Sequence, residues 1–224
     1  KGGYCACDSS RGVVGEFAKL ESRIDPSAEG IRAEGYRLQI DRRKILLTAI
    51  DSAGLFYGKQ TLRQLATAQG IPCVEVLDNP RFAYRGMHLD VSRHFFPKEQ
   101  IFKILDEMAY YKLNKFHFHL CDNGGWRIQI DKYPLLTKLG SHRMEIEWLK
   151  WWDFGDKHYV PEDTPGAYGG YYTKEDIREI VKHAASKHIN IIPEIEFPGH
   201  SEEVLMAYPE PVSYTHLTLP TNSR

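Results

Sequence analysis

Between Gly35 and Asp51, Tyr36, Leu38 and Ile40 alternate with polar neighbours, and the stretch from Lys44 to Ile50 is rich in aliphatics after the charged step Asp41-Arg42-Arg43. A period of two on either side of a polar step predicts a β-hairpin with one buried face. Asp51-Ser52 then offers an N-cap, and Leu55, Leu62, Leu65 and Ala66 share one face of a predicted helix ending near Gly70. Strands followed by a helix predict a small α+β domain over residues 1–78, N-terminally incomplete.

The rhythm changes at Asp78-Asn79-Pro80, where proline disfavours helix in the residue before it. Met87 to Val91 reads as a buried strand. Pro97 opens a helix with Ile101, Leu105 and Met108 on one face, and Lys115 to Leu120 reads as a second strand. Thr173-Lys174-Glu175-Asp176 is a capping-box-like start for a helix striped by Ile177, Ile180, Val181 and Ala184, and Asn190 to Ile195 follows as a third strand. Strands alternating with helices imply a parallel sheet covered by helices, either a barrel or an open doubly wound sheet.

What favours the barrel is where the unusual polar residues fall. The first strand delivers Asp90-Val91-Ser92-Arg93-His94 at its carboxyl end, the second His119-Leu120-Cys121-Asp122-Asn123, and the third Glu194-Ile195-Glu196-Phe197-Pro198-Gly199-His200. The carboxyl ends of the strands form the functional rim of such a barrel. Residues 79–211 are therefore expected to be the first three β/α units of a (β/α)8 TIM barrel, giving an α/β fold class with the small α+β domain in front.

Composition narrows the chemistry. With 42% hydrophobic and 12% aromatic residues the 224-residue chain can build a core. Its 29 Lys and Arg against 30 Asp and Glu leave a net charge of −1, which supplies no field for nucleic acid or an anionic membrane. No apolar run approaches the roughly 18 residues of a membrane span, and no leader is visible from Lys1 onward. The four cysteines, Cys5, Cys7, Cys73 and Cys121, lack metal or redox spacing and read as free structural thiols.

On the rim, an arginine offers five fixed donors to neighbouring hydroxyls and carboxylates accept from the same hydroxyls, a combination suited to a sugar ring. His117 and His119, two apart on a strand, point to one face. They read as packed, hydrogen-bonded histidines, with a metal-dependent hydrolase as the rival. The segment from Ser141 to Tyr172 reads as a long loop carrying Trp148, Trp151, Trp152, Phe154, Tyr159, Tyr168, Tyr171 and Tyr172, which either stack on a sugar or cover the barrel as local core.

Three blocks carry a resemblance. Arg85-Gly86-Met87-His88-Leu89-Asp90-Val91-Ser92-Arg93-His94, then Lys115-Phe116-His117-Phe118-His119-Leu120-Cys121-Asp122 with Gly125-Trp126-Arg127, then Pro193-Glu194-Ile195-Glu196-Phe197-Pro198-Gly199-His200 resemble, in order and spacing, the first three barrel strands of the family-twenty β-N-acetylhexosaminidases. The resemblance implies removal of terminal N-acetylglucosamine or N-acetylgalactosamine from the non-reducing ends of glycans, with retained configuration and with no metal or other cofactor. It implies that Arg93 and Glu196 bind substrate and that Asp122 and His200 form a relay to the general acid. It also implies action outside the cytoplasm, in periplasm, lysosome or medium.

Two departures stand out: Asn123 and Glu196 occupy positions where the family often has Asp. The family's catalytic Asp-Glu pair is missing as well. The chain's single Asp-Glu, Asp106-Glu107, lies inside the predicted first helix, so this piece is expected to be inactive. Val212 to Thr221 shows no periodicity and back-translates to a sequencing-adapter-like string, so residues 212–224 are expected to be a non-native tail. A non-catalytic carbohydrate-binding module and a metal-dependent TIM-barrel hydrolase are the alternative functions.

Overall fold

The computed structural model describes residues 19–209 apart from 69 and 156; Cys5, Cys7 and the segment 212–224 lie outside the described residues. The chain divides into two compact units. The first holds residues up to Arg85 together with Asp106–Asn114, and the second holds Gly86–Leu105 and the chain from Lys115 onward.

In the first unit β1 (Lys19–Ile24), β2 (Tyr36–Ile40), β3 (Lys44–Ala49) and β4 (Glu75–Asp78) form one sheet in the order β1-β3-β2-β4, crossed by α1 (Ser52–Leu65). The expected hairpin is the antiparallel β2-β3 pair, with Leu38 opposite Leu47. Alternation has the predicted consequence: Tyr36, Leu38 and Ile40 are buried with Ile45, Leu47, Ala49 and Tyr57, and Leu55, Leu62 and Leu65 pack against them. Each fully buried aliphatic such as Leu38 or Leu47 contributes ~1.5–3 kcal/mol.

Helix α1 begins where the sequence places it and stops earlier than expected. It ends at Leu65, with Ala66 in an extended conformation, rather than near Gly70. The strands β1 and β4 lie beyond the expected hairpin: β1 is exposed and largely polar, and β4, only four residues long, is too short for its alternation to be read.

Asp51 holds the start of α1 with both carboxylate oxygens. Oδ1 accepts from the Gly54 amide at 2.7 Å, and Oδ2 accepts from the Glu34 amide at 2.8 Å, where Glu34 has φ of 62°. Asp51→Ala is expected to cost ~1–2 kcal/mol, measured as a lower urea midpoint in far-UV circular dichroism. An unchanged midpoint would show that the cap does not hold this helix.

In the second unit β5 (Gly86–Asp90), β6 (Lys115–Asp122) and β11 (Asn190–Ile195) form a parallel sheet in the order β11-β6-β5, and the short β7 (Gly125–Trp126) folds back antiparallel on β6. Between the parallel strands run α2 (Lys98–Tyr110) and α4 (Lys174–Ala185). The α2 residues Ile101, Leu105 and Met108 are buried as their spacing predicts. Helix α4 carries a full capping box, Thr173 accepting from the Asp176 amide while the Asp176 carboxylate accepts from Thr173. Among the described residues no helix is long and apolar enough to cross a membrane.

The expected long loop over 141–172 is partly ordered. It contains β8 (His142–Arg143), a π-helical turn at Lys150–Phe154, β9 (Tyr159–Val160) and β10 (Tyr168–Gly169), and the strands pair as a small antiparallel sheet in the order β10-β8-β9. Strands of two residues are too short to leave a periodic signal. A short helix, α3 (Leu135–Lys138), precedes this insert, and α5 (Glu202–Ala207) follows β11. Of the described cysteines, Cys73 and Cys121 are free thiols.

Candidate active site at the carboxyl ends of the parallel strands

Register decides which side chains meet. Parallel pairing sets His88 and Asp90 of β5 beside His117 and His119 of β6, and Glu194 of β11 beside His119. Because side chains alternate along a strand, these residues share one face, while Phe116, Phe118 and Leu120 are buried on the other.

At the strand ends Arg93 is clasped between two carboxylates. Its Nη1 donates to Asp90 Oδ2 at 2.7 Å and its Nη2 lies 2.6 Å from Asp122 Oδ1. Asp90 is itself fixed, its Oδ1 accepting from the amides of Ser92 at 2.9 Å and Arg93 at 3.2 Å. The Trp148 ring lies 5.5 Å from the Arg93 guanidinium, so the arginine has carboxylates at its edge and an aromatic face beside it.

Asp122 is the centre of the group and its side chain is only 3% exposed. Besides Arg93, its Oδ1 accepts from the Asn123 amide at 2.6 Å, and His200 Nδ1 stands 3.0 Å away. A histidine that donates from Nδ1 to a buried carboxylate presents Nε2 as a basic acceptor, the arrangement of a relay. The structure thus brings Arg93, Asp122 and His200 together from the ends of β5, β6 and β11. The fourth expected residue, Glu196, lies with Glu194 and His119.

Backbone carbonyls hold this rim in place through two buried arginines whose roles the sequence did not reveal. All five N–H groups of Arg127 find main-chain oxygens. Nε donates to Val91 at 3.0 Å, Nη2 to Ser92 at 2.6 Å and Gly124 at 3.1 Å, and Nη1 to Gly170 at 3.0 Å and also to Ser141. Burial first, then repulsion from Arg143, pushes Arg127 down to about 10, which leaves it charged at neutral pH. Gly125, at φ of 154°, lies so close that a Cβ would stand 2.4 Å from the Arg127 Cζ.

Arg143 repeats the device, donating to the carbonyls of Glu145, Gly124, Arg93 and Ile146. The rings of Trp148, Trp151 and Tyr168 surround its guanidinium.

The aromatic residues of the insert divide between buried and half-exposed positions. Trp151, Tyr159 and Tyr172 are buried and serve as local core. Trp148 stacks on Trp152 with centroids 5.2 Å apart and lies beside Arg93. Tyr168 and Tyr171 are half-buried, and the Phe154 side chain lies outside the described residues.

A further buried acid went unnoticed in the sequence. Glu203, in the first turn of α5, is fully buried, and neither carboxylate oxygen has a hydrogen-bond partner. Burial, reinforced by the negative charges of Asp122 and Glu202, raises it to about 8, so it holds its proton at neutral pH. Acidic residues are common in solvent-facing first turns, where the helix dipole favours them, so nothing in the sequence marks this one as buried.

Known proteins resemble this chain over most of its length. The sequence profile of the glycosyl hydrolase family 20 catalytic domain matches residues 82–222, and that of the family's domain 2 matches residues 11–79. A β-hexosaminidase of Porphyromonas gingivalis is 42% identical over 191 residues, covering 80% of this chain and 22% of its own length. One from Akkermansia muciniphila is 38% identical over 201 residues, covering 87% of this chain and 38% of the relative. The chain thus spans between about a fifth and two fifths of these relatives.

Among solved structures, the family 20 exo-β-N-acetylglucosaminidase of Vibrio harveyi in complex with N-acetylglucosamine matches with a TM-score of 0.74 at 35% identity, over 85% of this chain and 29% of that one. Two family profiles placed end to end, and relatives above one-third identity over most of the chain, carry one conclusion: the chain belongs to glycoside hydrolase family 20, the β-hexosaminidases.

Proposed function

We propose that this chain supplies the sugar-holding part of an exo-acting β-N-acetylhexosaminidase that removes terminal N-acetylglucosamine or N-acetylgalactosamine from glycans and glycoconjugates. The observation that carries the reading is Arg93 clasped by Asp90 and Asp122, with His200 on the same carboxylate. A guanidinium fixed at both edges cannot swing away, so it presents its remaining donor directions to sugar hydroxyls at low entropic cost. Trp148 beside it offers a face for the apolar side of a pyranose. On this reading β5, β6 and β11 are the first three staves of a (β/α)8 barrel, within a catalytic domain over 79–211 that follows the small domain of 1–78.

Hydrolysis is proposed to be retaining and substrate-assisted. The 2-acetamido oxygen of the substrate attacks the anomeric carbon, and a carboxylic acid protonates the leaving oxygen. Asp122 and His200 orient and tune that acid through the Nε2 of His200. Residues 1–224 contain one Asp-Glu pair, and it lies on α2 rather than at a strand end.

The 224-residue chain alone is therefore expected not to turn over p-nitrophenyl N-acetyl-β-glucosaminide. A longer gene product that carries the family's Asp-Glu pair should do so without added metal. In that product, Arg93→Ala should lower kcat/KM by roughly 100-fold or more, since a charge-assisted hydrogen-bonding group is lost. Turnover by the short chain, or a parent enzyme indifferent to Arg93→Ala, would overturn the assignment.

A further inference from the structure

His200 stands on a turn that packing does not hold. Its side chain is 61% exposed, and a Cβ added to the preceding Gly199 would meet nothing within 4 Å. Its backbone lies at φ of 53°, in the left-handed region that a residue with a Cβ enters only when its surroundings impose it. Yet the ring is aimed, with Nδ1 at 3.0 Å and 3.2 Å from the two oxygens of Asp122. Something other than burial fixes the turn.

Two polar side chains flank it. Ser201 is buried, and its hydroxyl reaches back to the carbonyls of Gly199 at 2.8 Å and Glu196 at 3.1 Å, which closes the turn on itself. A serine at a helix start ordinarily offers its oxygen to the first free amides, but Ser201, the N-cap of α5, makes no such bond. Asn123, just after β6, supplies that acceptor from another element: its Oδ1 accepts from the Glu202 amide at 3.3 Å.

The main-chain amide of Asn123 donates in turn to Asp122 Oδ1 at 2.6 Å. Asn123 is thus bonded on one side to the carboxylate and on the other to the segment that carries the histidine, and it is buried between them.

We propose that Asn123 and Ser201 are positioning residues for His200: Ser201 sets the shape of the turn, and Asn123 sets its distance from Asp122. The working atom of Asn123 is its carbonyl oxygen, which an aspartate would also provide. Asparagine provides it without placing a second negative charge beside Asp122. That the held ring serves catalysis rests on the hexosaminidase reading above; that the ring is held does not.

The first test needs no activity. In the 15N-labelled 224-residue chain near pH 8, where imidazoles are ordinarily neutral, long-range 1H–15N spectra report which ring nitrogen carries hydrogen. The His200 signal is assigned by its loss in His200→Gln. The unaltered chain should show His200 with hydrogen on Nδ1, held there by Asp122. Asn123→Ala and Ser201→Ala should each shift it toward the Nε2–H form that a free imidazole side chain prefers, while Asn123→Asp should keep hydrogen on Nδ1. Circular dichroism checks the fold, and Ser201→Ala is read on its own if Asn123→Ala unfolds. Hydrogen on Nδ1 in every folded variant, or on Nε2 in the unaltered chain, would overturn the proposal.

The second test uses a longer gene product that carries the family's Asp-Glu pair. There Asn123→Ala should lower kcat by roughly 10–100-fold with KM nearly unchanged, and Asn123→Asp should restore most of it. A fall confined to KM would count against positioning. A longer product that hydrolyses no N-acetylhexosaminide would sink the hexosaminidase reading, while the ring spectra still decide whether Asn123 and Ser201 hold His200.

Discussion

Arg127→Met is expected to lower the stability of the second unit by about 3–5 kcal/mol, the cost of removing one partner from a buried charged network. The methionine fills most of the space, so the loss comes chiefly from the carbonyls of Val91, Ser92 and Gly170, which would lose their side-chain donor, while Gly124 keeps Arg143 and Ser141 keeps the Gly170 amide. Arg127→Lys keeps the charge but offers three donors on a flexible stem in place of a planar fork, and should recover less than half of the loss. All four tryptophans, Trp126, Trp148, Trp151 and Trp152, lie in this unit, so the urea midpoint of tryptophan fluorescence reads it selectively. A midpoint unchanged in Arg127→Met would show that water replaces the guanidinium at no cost.

The second large effect is a pH dependence at Glu203. Its carboxyl is raised from the ordinary 4.5 to about 8 in the folded chain. Between those two values the unfolded chain has released the proton while the folded chain still holds it. The folded state binds more protons, so stability falls as pH rises across that window, by up to roughly 1.4 kcal/mol per pH unit. Below pH 4.5 both states are protonated and the penalty vanishes; above about 8 it levels off.

Glu203→Gln removes the titration and keeps the shape. The variant should match the parent chain near pH 5 and exceed it by about 2–4 kcal/mol near pH 8, read from the same fluorescence midpoints. Equal stability of the two at both pH values would mean that the carboxyl finds solvent or a donor.

Much of this architecture was legible because local chemistry and global fold agree. Asp51 and Thr173 announce helix starts by offering side-chain oxygens where amides lack partners, and both caps form. The alternation in Tyr36, Leu38 and Ile40 identifies the core face of β2. Arg93, Asp122 and His200 could be grouped from sequence because each follows a strand of the same parallel sheet, and parallel strands bring their carboxyl ends to one side.

What escaped had physical reasons. The strands of the aromatic insert are two residues long, and β1 is a polar strand at the sheet edge. Neither kind leaves a periodic signature. Buried charges are the other blind spot. Arg127, Arg143 and Glu203 look in sequence like any surface charge, because the groups that surround them are carbonyls and rings whose positions depend on chain segments far away. The shared face of His88, His117, His119 and Glu194 was half legible: the His117–His119 spacing gave one strand's share, but His88 and Glu194 join only once the register between strands is known.

The partners of Arg127 and Arg143 carry a consequence for how such a site diversifies. Each hydrogen bond they donate goes to a main-chain oxygen, a group that every amino acid possesses. Substitution at the exposed Ile146 changes the surface its loop shows without deleting the atom that anchors the segment. The two arginines thus separate where the loops are from what the loops say, leaving the recognition surface open to variation while its mounting stays fixed.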